Sequence, residues 1–193
     1  ETGEDSAVIT CDASSFSIKT LDAEDFPGFP HVDTQQAISI PFSQFSSMVK
    51  RVARVVSKDE SRAILTGVLI TIEDGRLKMV ATDSYRLAIT EAQLGEPAAE
   101  GFQAVISGSF LQELASLTRT DDPLTIALAE NQIVVTYQDT VFINRRIEGN
   151  FPNYRQLLPD SYATRVRLNV SHLVSGVKRT SILGQQSSPV KFA

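Results

Sequence analysis

The residues best placed for directed chemistry sit together in Ala81-Thr82-Asp83-Ser84-Tyr85-Arg86-Leu87-Ala88, where a carboxylate, a hydroxyl, a phenol and a guanidinium follow one another. An apolar alternating run (Leu77, Met79, Ala81) enters this stretch and another (Leu87, Ile89) leaves it. Thr82, Asp83 and Ser84 supply turn chemistry, because short oxygen-bearing side chains bond their own backbone. The stretch therefore reads as a β-hairpin tip with an aromatic and an arginine beside its turn. A plain solvated connection is the simpler reading of the same residues. Asp83 is a formal candidate for an acid, but its match to Asp139 in a repeated half favours a turn role. Little else supports catalysis. The two histidines, His31 and His172, lie far apart, and there is no metal-spaced Cys/His set, Gly-rich phosphate loop or G-x-S-x-G turn. No catalytic residue, metal site or cofactor is expected.

Two binding candidates remain. Lys50, Arg51, Arg54 and Lys58 fall opposite the apolar positions of a helical pattern. A solvated face is the ordinary reading of such a stripe. Lys178-Arg179 repeat the pair further on and Arg119 closes a second helical pattern, so the charges look placed. Such side chains meet phosphates without reading sequence. No aromatic interleaves them, so base stacking is not expected. The other candidate is a groove: Leu65-Thr66-Gly67, Tyr85-Arg86-Leu87 and Phe151-Pro152-Asn153-Tyr154-Arg155-Gln156-Leu157-Leu158-Pro159 are apolar with polar punctuation. Interdomain packing accounts for part of that mixture; a peptide pocket needs the same one.

Composition sets the bounds. A chain of 193 residues, 42% hydrophobic and 21% charged, has room for one domain or somewhat more. No apolar run approaches the roughly 18 residues of a membrane span, and no membrane partner is expected. The single cysteine, Cys11, excludes an intrachain disulfide and suits a cytoplasmic location. The net charge of −5 argues against nucleic acid coating the whole surface, but not against a local basic face. Glu1 at one end, and Lys191-Phe192-Ala193 inside an expected strand at the other, read as cut ends of a longer protein.

The elements that must position these residues repeat. Two short strands around Asp12-Ala13-Ser14-Ser15 precede the Asp25-Phe26-Pro27-Gly28-Phe29-Pro30 segment, which cannot be regular structure. Ala37–Pro41 is an expected strand, and Phe42, Phe45, Val49, Val52 and Val56 share one helical face. Strands follow at Ile64–Ile72, Leu77–Ala81 and Leu87–Ala92, with Glu73-Asp74-Gly75-Arg76 as a hairpin turn. The order then recurs about 60 residues on. A strand spans Gly101–Ile106. Ser107-Gly108-Ser109 caps a helix whose Phe110, Leu111, Leu114 and Leu117 face inward, and strands follow at Leu124–Ala129, Ile133–Tyr137 and Val141–Ile147. Leu77, Met79, Ala81 and Asp83 match Ile133, Val135, Tyr137 and Asp139 at one constant offset. A longer period, about 125 residues, relates the Phe16–Phe29 stretch to Val141–Tyr154 and Ser43–Arg51 to Ser171–Arg179. The chain thus divides into the tail of one domain (1–36), a whole second domain (37–160) and the head of a third (161–193).

On Ala81-Thr82-Asp83-Ser84-Tyr85-Arg86-Leu87-Ala88, Glu148-Gly149-Asn150-Phe151-Pro152-Asn153-Tyr154 and Asp25-Phe26-Pro27, the chain resembles the bacterial DNA polymerase III β subunits, the sliding clamps. Those proteins carry A-T-D-G-H-R-L-A and G-x-F-P-D-Y at the first two places. The resemblance implies an α+β DNA-clamp fold in which each domain is two β-α-β-β-β repeats with two helices on one face of antiparallel sheets. It implies a non-enzymatic processivity factor: a homodimeric six-domain ring, helices inside, that encircles double-stranded DNA. Lys50, Arg51, Arg54, Lys58, Arg119, Lys178 and Arg179 would face the duplex. It also implies a pocket for peptides of the polymerase III α subunit, the clamp loader and other clamp-binding-motif proteins. Half of that pocket falls on Leu65, Thr82, Ser84, Tyr85, Arg86, Leu87, Pro152, Gln156 and Leu157. Ser84-Tyr85 depart from the family's Gly-His, and Gln156 stands where some members have a basic residue, so peptide preference is open. A fragment of this length could not itself close a ring. The rivals are a peptide-binding adaptor that never encircles DNA and, last, an enzyme using Asp83 as an acid.

Overall fold

Alternation of apolar residues becomes strand pairing almost everywhere the pattern is strict in the computed structural model, which describes residues 6–25, 28, 37–95, 101–118, 120, 122–182, 184 and 190. A first hairpin pairs β1 (Ser6–Cys11) with β2 (Ser14–Lys19) around Asp12, whose φ is 50°. Then β3 (Ile38–Pro41), α1 (Phe42–Val52), β4 (Gly67–Glu73), β5 (Arg76–Thr82) and β6 (Leu87–Gln93) follow in order. The second series is β7 (Gln103–Ser107), α2 (Gly108–Ser116), β8 (Pro123–Leu128), β9 (Gln132–Tyr137) and β10 (Thr140–Arg145). Every strand pair is antiparallel, and the class is α+β, as the resemblance implies. Asp74 and Gly75, with φ of 51° and 69°, form the tight turn that an Asp-Gly pair favours between β4 and β5.

The sheets run β6-β5-β4-β7 and β10-β9-β8-β3. Each repeat therefore lends its first strand to the other's sheet: β7 lies on β4, and β3 on β8. The exchange is invisible in the order of elements, and it makes the two repeats one folding unit. The bridge Ile106↔Arg146 and the Ile147 amide, which donates to the Val105 carbonyl at 2.8 Å, continue the chain after β10 along the free edge of β7.

One core joins both repeats. Helix α1 buries Phe42, Phe45, Met48, Val49 and Val52, and α2 buries Leu111, Leu114 and Ala115. Beneath them lie Leu77, Met79 and Ala81 of β5 and their matches Ile133, Val135 and Tyr137 of β9, so the constant offset corresponds to equivalent inward positions. The helices are tied reciprocally. Ser46 Oγ, fully buried, donates to the Ala115 carbonyl at 3.0 Å, and Gln112 Nε2 donates to the Ala53 carbonyl at 2.8 Å. The second of these bonds satisfies a carbonyl that the end of α1 leaves unpartnered.

Three sequence expectations are corrected. Helix α1 ends at Val52 with Ala53 as its C-cap, so Val56, Arg54 and Lys58 lie in the segment beyond it. Ile64-Leu65-Thr66 belong to a 3-10 helix, Glu60–Thr66, because Asp59 caps it by accepting from the Ser61 amide at 3.1 Å. The strand starts only at Gly67, where β7 passes too close for a side chain: a Cβ there would overlap Val105 and stand 2.9 Å from Ile147 Cδ1. Leu117 is the C-cap of α2, just past its last helical residue, and packs half-buried against the core.

The described residues form two units, Glu1–Pro152 and Asn153–Ala193. The second unit contains a 3-10 turn, Tyr154–Leu157, and α3 (Val170–Ser181), which Asn169 caps by accepting from the Ser171 amide at 3.0 Å.

Candidate functional site

Pairing of Thr82 with Leu87 closes β5 on β6 and leaves Asp83-Ser84-Tyr85-Arg86 as the tip. The matched hairpin closes at Tyr137↔Thr140 and leaves only Gln138-Asp139. The strands of the two repeats therefore correspond, but their turns do not. In the longer tip Asp83 acts as a clasp. Its Oδ1 accepts from the amides of Arg86 at 2.7 Å and Tyr85 at 2.9 Å, and its Oδ2 accepts from Arg86 Nε at 3.0 Å and Nη2 at 2.9 Å. The Arg86 amide has the largest effect and burial opposes it, but with the Arg86 guanidinium and the Tyr85 amide added the Asp83 carboxyl is held down at about 2 from an ordinary 3.8. A carboxylate so held is an acceptor at neutral pH and the wrong species for a general acid.

The sign of the linkage follows. Between those values the unfolded chain takes up the proton first, so the clasp stabilises fully above about 3.8 and its contribution fades as pH falls toward about 2. We expect the Asp83 carboxyl, followed by NMR, to titrate near 2, and Asp83→Asn to abolish that acid limb; a midpoint near 3.8 would contradict the clasp.

Strand alternation places the rest. Leu77, Met79 and Ala81 point to the helices, so Val80, Thr82 and their partners Ile89 and Leu87 face the opposite side of the sheet. Leu69 and Val105, paired in register beside Val80, are buried on that same outer face. Thr82 is buried and its hydroxyl accepts from the Ser84 amide at 3.2 Å, Leu87 is half-buried, and Tyr85 is 92% exposed. Leu65 is buried on the 3-10 helix, and Pro152 is exposed at the end of the first unit. Gln156 and Leu157 are exposed on the 3-10 turn of the second unit. The structure thus assembles Thr82, Ser84, Tyr85, Arg86 and Leu87 at one tip, with Gln156 and Leu157 together in the other unit.

The basic residues lie on the helix side of the first unit. Lys50 and Arg51 occupy the last turn of α1, and with Arg54 and Lys58 beyond it they are exposed. Arg54 and Lys58 line an open groove of about 680 Å³ with Ser107, Ser109 and Gln112 at the start of α2. Among the described residues none of the four has an ion-pair partner. Lys178 and Arg179 are likewise exposed in the last turn of α3, in the second unit. Arg119 lies outside the described residues.

Sequence reading passed over Arg62. Its Nε donates to Asp59 Oδ2 at 3.1 Å, Nη1 to Ser84 Oγ at 3.1 Å and Nη2 to Ser57 Oγ at 3.4 Å. No periodicity or motif marks an arginine whose partner is brought across space.

Residues 39–153, more than half of the chain, match the family described as DNA polymerase III beta subunit, central domain. The beta sliding clamp of Bacillus subtilis is 30% identical over 180 residues, 93% of this chain and 48% of that protein. A crystal structure of the DNA polymerase sliding clamp from Bacillus subtilis aligns with a TM-score of 0.83 at 29% identity, covering 97% of this chain and 50% of that one. A sliding clamp (DNA polymerase III subunit beta) from Pseudomonas aeruginosa, bound to griselimycin, aligns with a TM-score of 0.80 at 27% identity, covering 96% and 51%. The chain spans about half the length of the relatives it matches.

Proposed function

The chain belongs to the bacterial DNA polymerase III beta subunit family, and from that premise we propose that the protein it is part of is a sliding clamp, a non-catalytic processivity factor. Two such protomers form a ring around double-stranded DNA in the cytoplasm and tether the polymerase III α subunit, the clamp loader and other clamp-binding-motif proteins. In this reading residues 1–36, 37–160 and 161–193 are the end of the first clamp domain, the whole second and the start of the third.

One observation carries the proposal: the exposed cations Lys50, Arg51, Arg54 and Lys58 lie on the helix side of a unit whose apolar tip residues lie on the outer sheet face. Exposed cations with no ion-pair partner among the described residues favour loose phosphate contacts, which hold the duplex without fixing a register. We assign peptide-binding roles to Thr82, Ser84, Tyr85, Arg86 and Leu87, with Leu65 and Pro152, in the first unit, and separately to Gln156 and Leu157 in the second. A similar clamp from Pseudomonas aeruginosa is bound to griselimycin, so this compound is a ligand to try on the full-length protein.

Topology tests the proposal. Full-length protein loaded by its clamp loader remains on closed circular DNA through gel filtration and is lost once the circle is cut. Equal retention on both forms would favour an adaptor that binds without encircling.

A further inference from the structure

At Arg146 the chain leaves the sheet of β10 and joins the edge of β7. Its amide donates to the Asn131 carbonyl at 3.0 Å, in the turn between β8 and β9, and its backbone bridges Ile106 of β7. The side chain repeats the crossing. Nη1 donates to the Glu130 carbonyl at 3.3 Å in the same turn, and Nη2 donates to the Gln103 carbonyl at 3.2 Å on β7. One guanidinium thus grips a carbonyl on each sheet, which suits a planar fork of fixed donors better than a single ammonium. Arg146 is half-buried, and among the described residues no carboxylate forms an ion pair with it. Its contacts are directed at the main chain.

The segment after Arg146 is laid against part of the first unit's peptide-binding residues. Ile147 donates its amide to the Val105 carbonyl at 2.8 Å, and its Cδ1 lies 2.9 Å from where a Cβ on Gly67 would stand. A Cβ on Gly149 would lie 3.6 Å from Ile64 Cδ1. Residues 147–149 therefore run across Ile64 and Gly67, which flank the buried Leu65, before the chain reaches the exposed Pro152. Leu65 and Pro152 are the two residues assigned to the peptide in this unit that the hairpin tip does not supply. The Asp83 clasp bonds only within that tip.

We propose that Arg146 is a positioning residue for peptide binding: by gripping both sheets it fixes the path of residues 147–152 over residues 64–67, and with it where Pro152 stands relative to Leu65. The proposal rests on the peptide reading given above. A segment released at this point samples more arrangements, the competent one is populated less often, and apparent affinity falls in proportion.

Full-length protein and its Arg146→Ala and Arg146→Lys variants are titrated calorimetrically, well below their melting temperatures, with a synthetic peptide of the clamp-binding segment of the polymerase III α subunit. Amide hydrogen exchange at Ile147 is followed on the same proteins without ligand. Arg146→Ala speeds that exchange and weakens peptide binding by about 3- to 10-fold, the range for the net worth of a hydrogen bond. Arg146→Lys keeps the charge without the fork and behaves like Arg146→Ala. Parental affinity or parental exchange in Arg146→Ala would overturn the proposal, and a lower unfolding midpoint in denaturant with parental affinity would leave Arg146 a staple of the fold. Parental affinity in Arg146→Lys would overturn it as well, because the peptide would then sense charge and not position. Should Arg146→Ala fail to fold, Arg146→Lys decides the matter by the same two measurements. If the parent does not bind the peptide, the peptide reading itself falls and the proposal with it, a result separable from the others because it appears before any substitution is made.

Discussion

Replacing Lys50, Arg51, Arg54 and Lys58 together with alanine in the full-length protein lowers its affinity for duplex DNA by about 100- to 1000-fold near 0.1 M salt. The slope of log K against log salt becomes shallower by up to about four units, since each cation on a phosphate contributes about one. The size of the effect follows from their condition in the structure. All four are exposed, and none is neutralised by a carboxylate among the described residues. Lys50 and Arg51 also complement the C-terminal end of α1, a role worth only about 0.3–1 kcal/mol. Melting therefore moves little while DNA binding collapses. Salt-dependent titrations of DNA binding make the measurement. An unchanged salt slope would return these side chains to an ordinary solvated face.

Phe42→Ala is expected to cost about 3–5 kcal/mol, the range for truncating a buried phenylalanine. Phe42 is fully buried, and its ring stacks on Tyr137 with centroids 4.3 Å apart and planes inclined by 19°. The contact joins the first helix of one repeat to the middle strand of the other. Tyr137 is held in place as well: its hydroxyl donates to the Thr118 carbonyl at 2.9 Å and accepts from the Thr120 amide at 3.2 Å. A partner so fixed cannot collapse into the void, which puts the cost toward the upper end. Against a typical total of about 5–15 kcal/mol, the loss is a large share of domain stability. Denaturant unfolding should show a lower midpoint with an unchanged slope. A cost below about 1 kcal/mol would mean that the repeats do not share one core.

What was legible in the amino-acid sequence was whatever depends on near neighbours. Period-2 runs marked β5 and β9 because each presents one face to a core, and Asp74-Gly75 marked a turn because its φ values suit that pair. Ser107 marked the start of α2 because a hydroxyl there can accept from an amide of the first turn. Ile64-Leu65-Thr66 was misplaced for the same kind of reason: a short apolar run looks alike in a strand and a tight helix, and the cap at Asp59 decides between them. The tip at Asp83 was recognised as a turn, but its likeness to Asp139 extended only to the strands.

By itself, then, the sequence determined the two β-α-β-β-β series, their inward faces, the family they resemble and the residue types available at the tip and on the basic side. Local alternation, capping and turn chemistry act over a few residues and leave their mark in order along the chain. Only the tertiary structure decided that β3 and β7 change places between the sheets, that Ser46 and Gln112 bind the helices together, and that Arg62 holds Ser84. Each of these is a choice of partner among groups far apart in sequence, settled by which donors, acceptors and apolar faces meet once the core has closed.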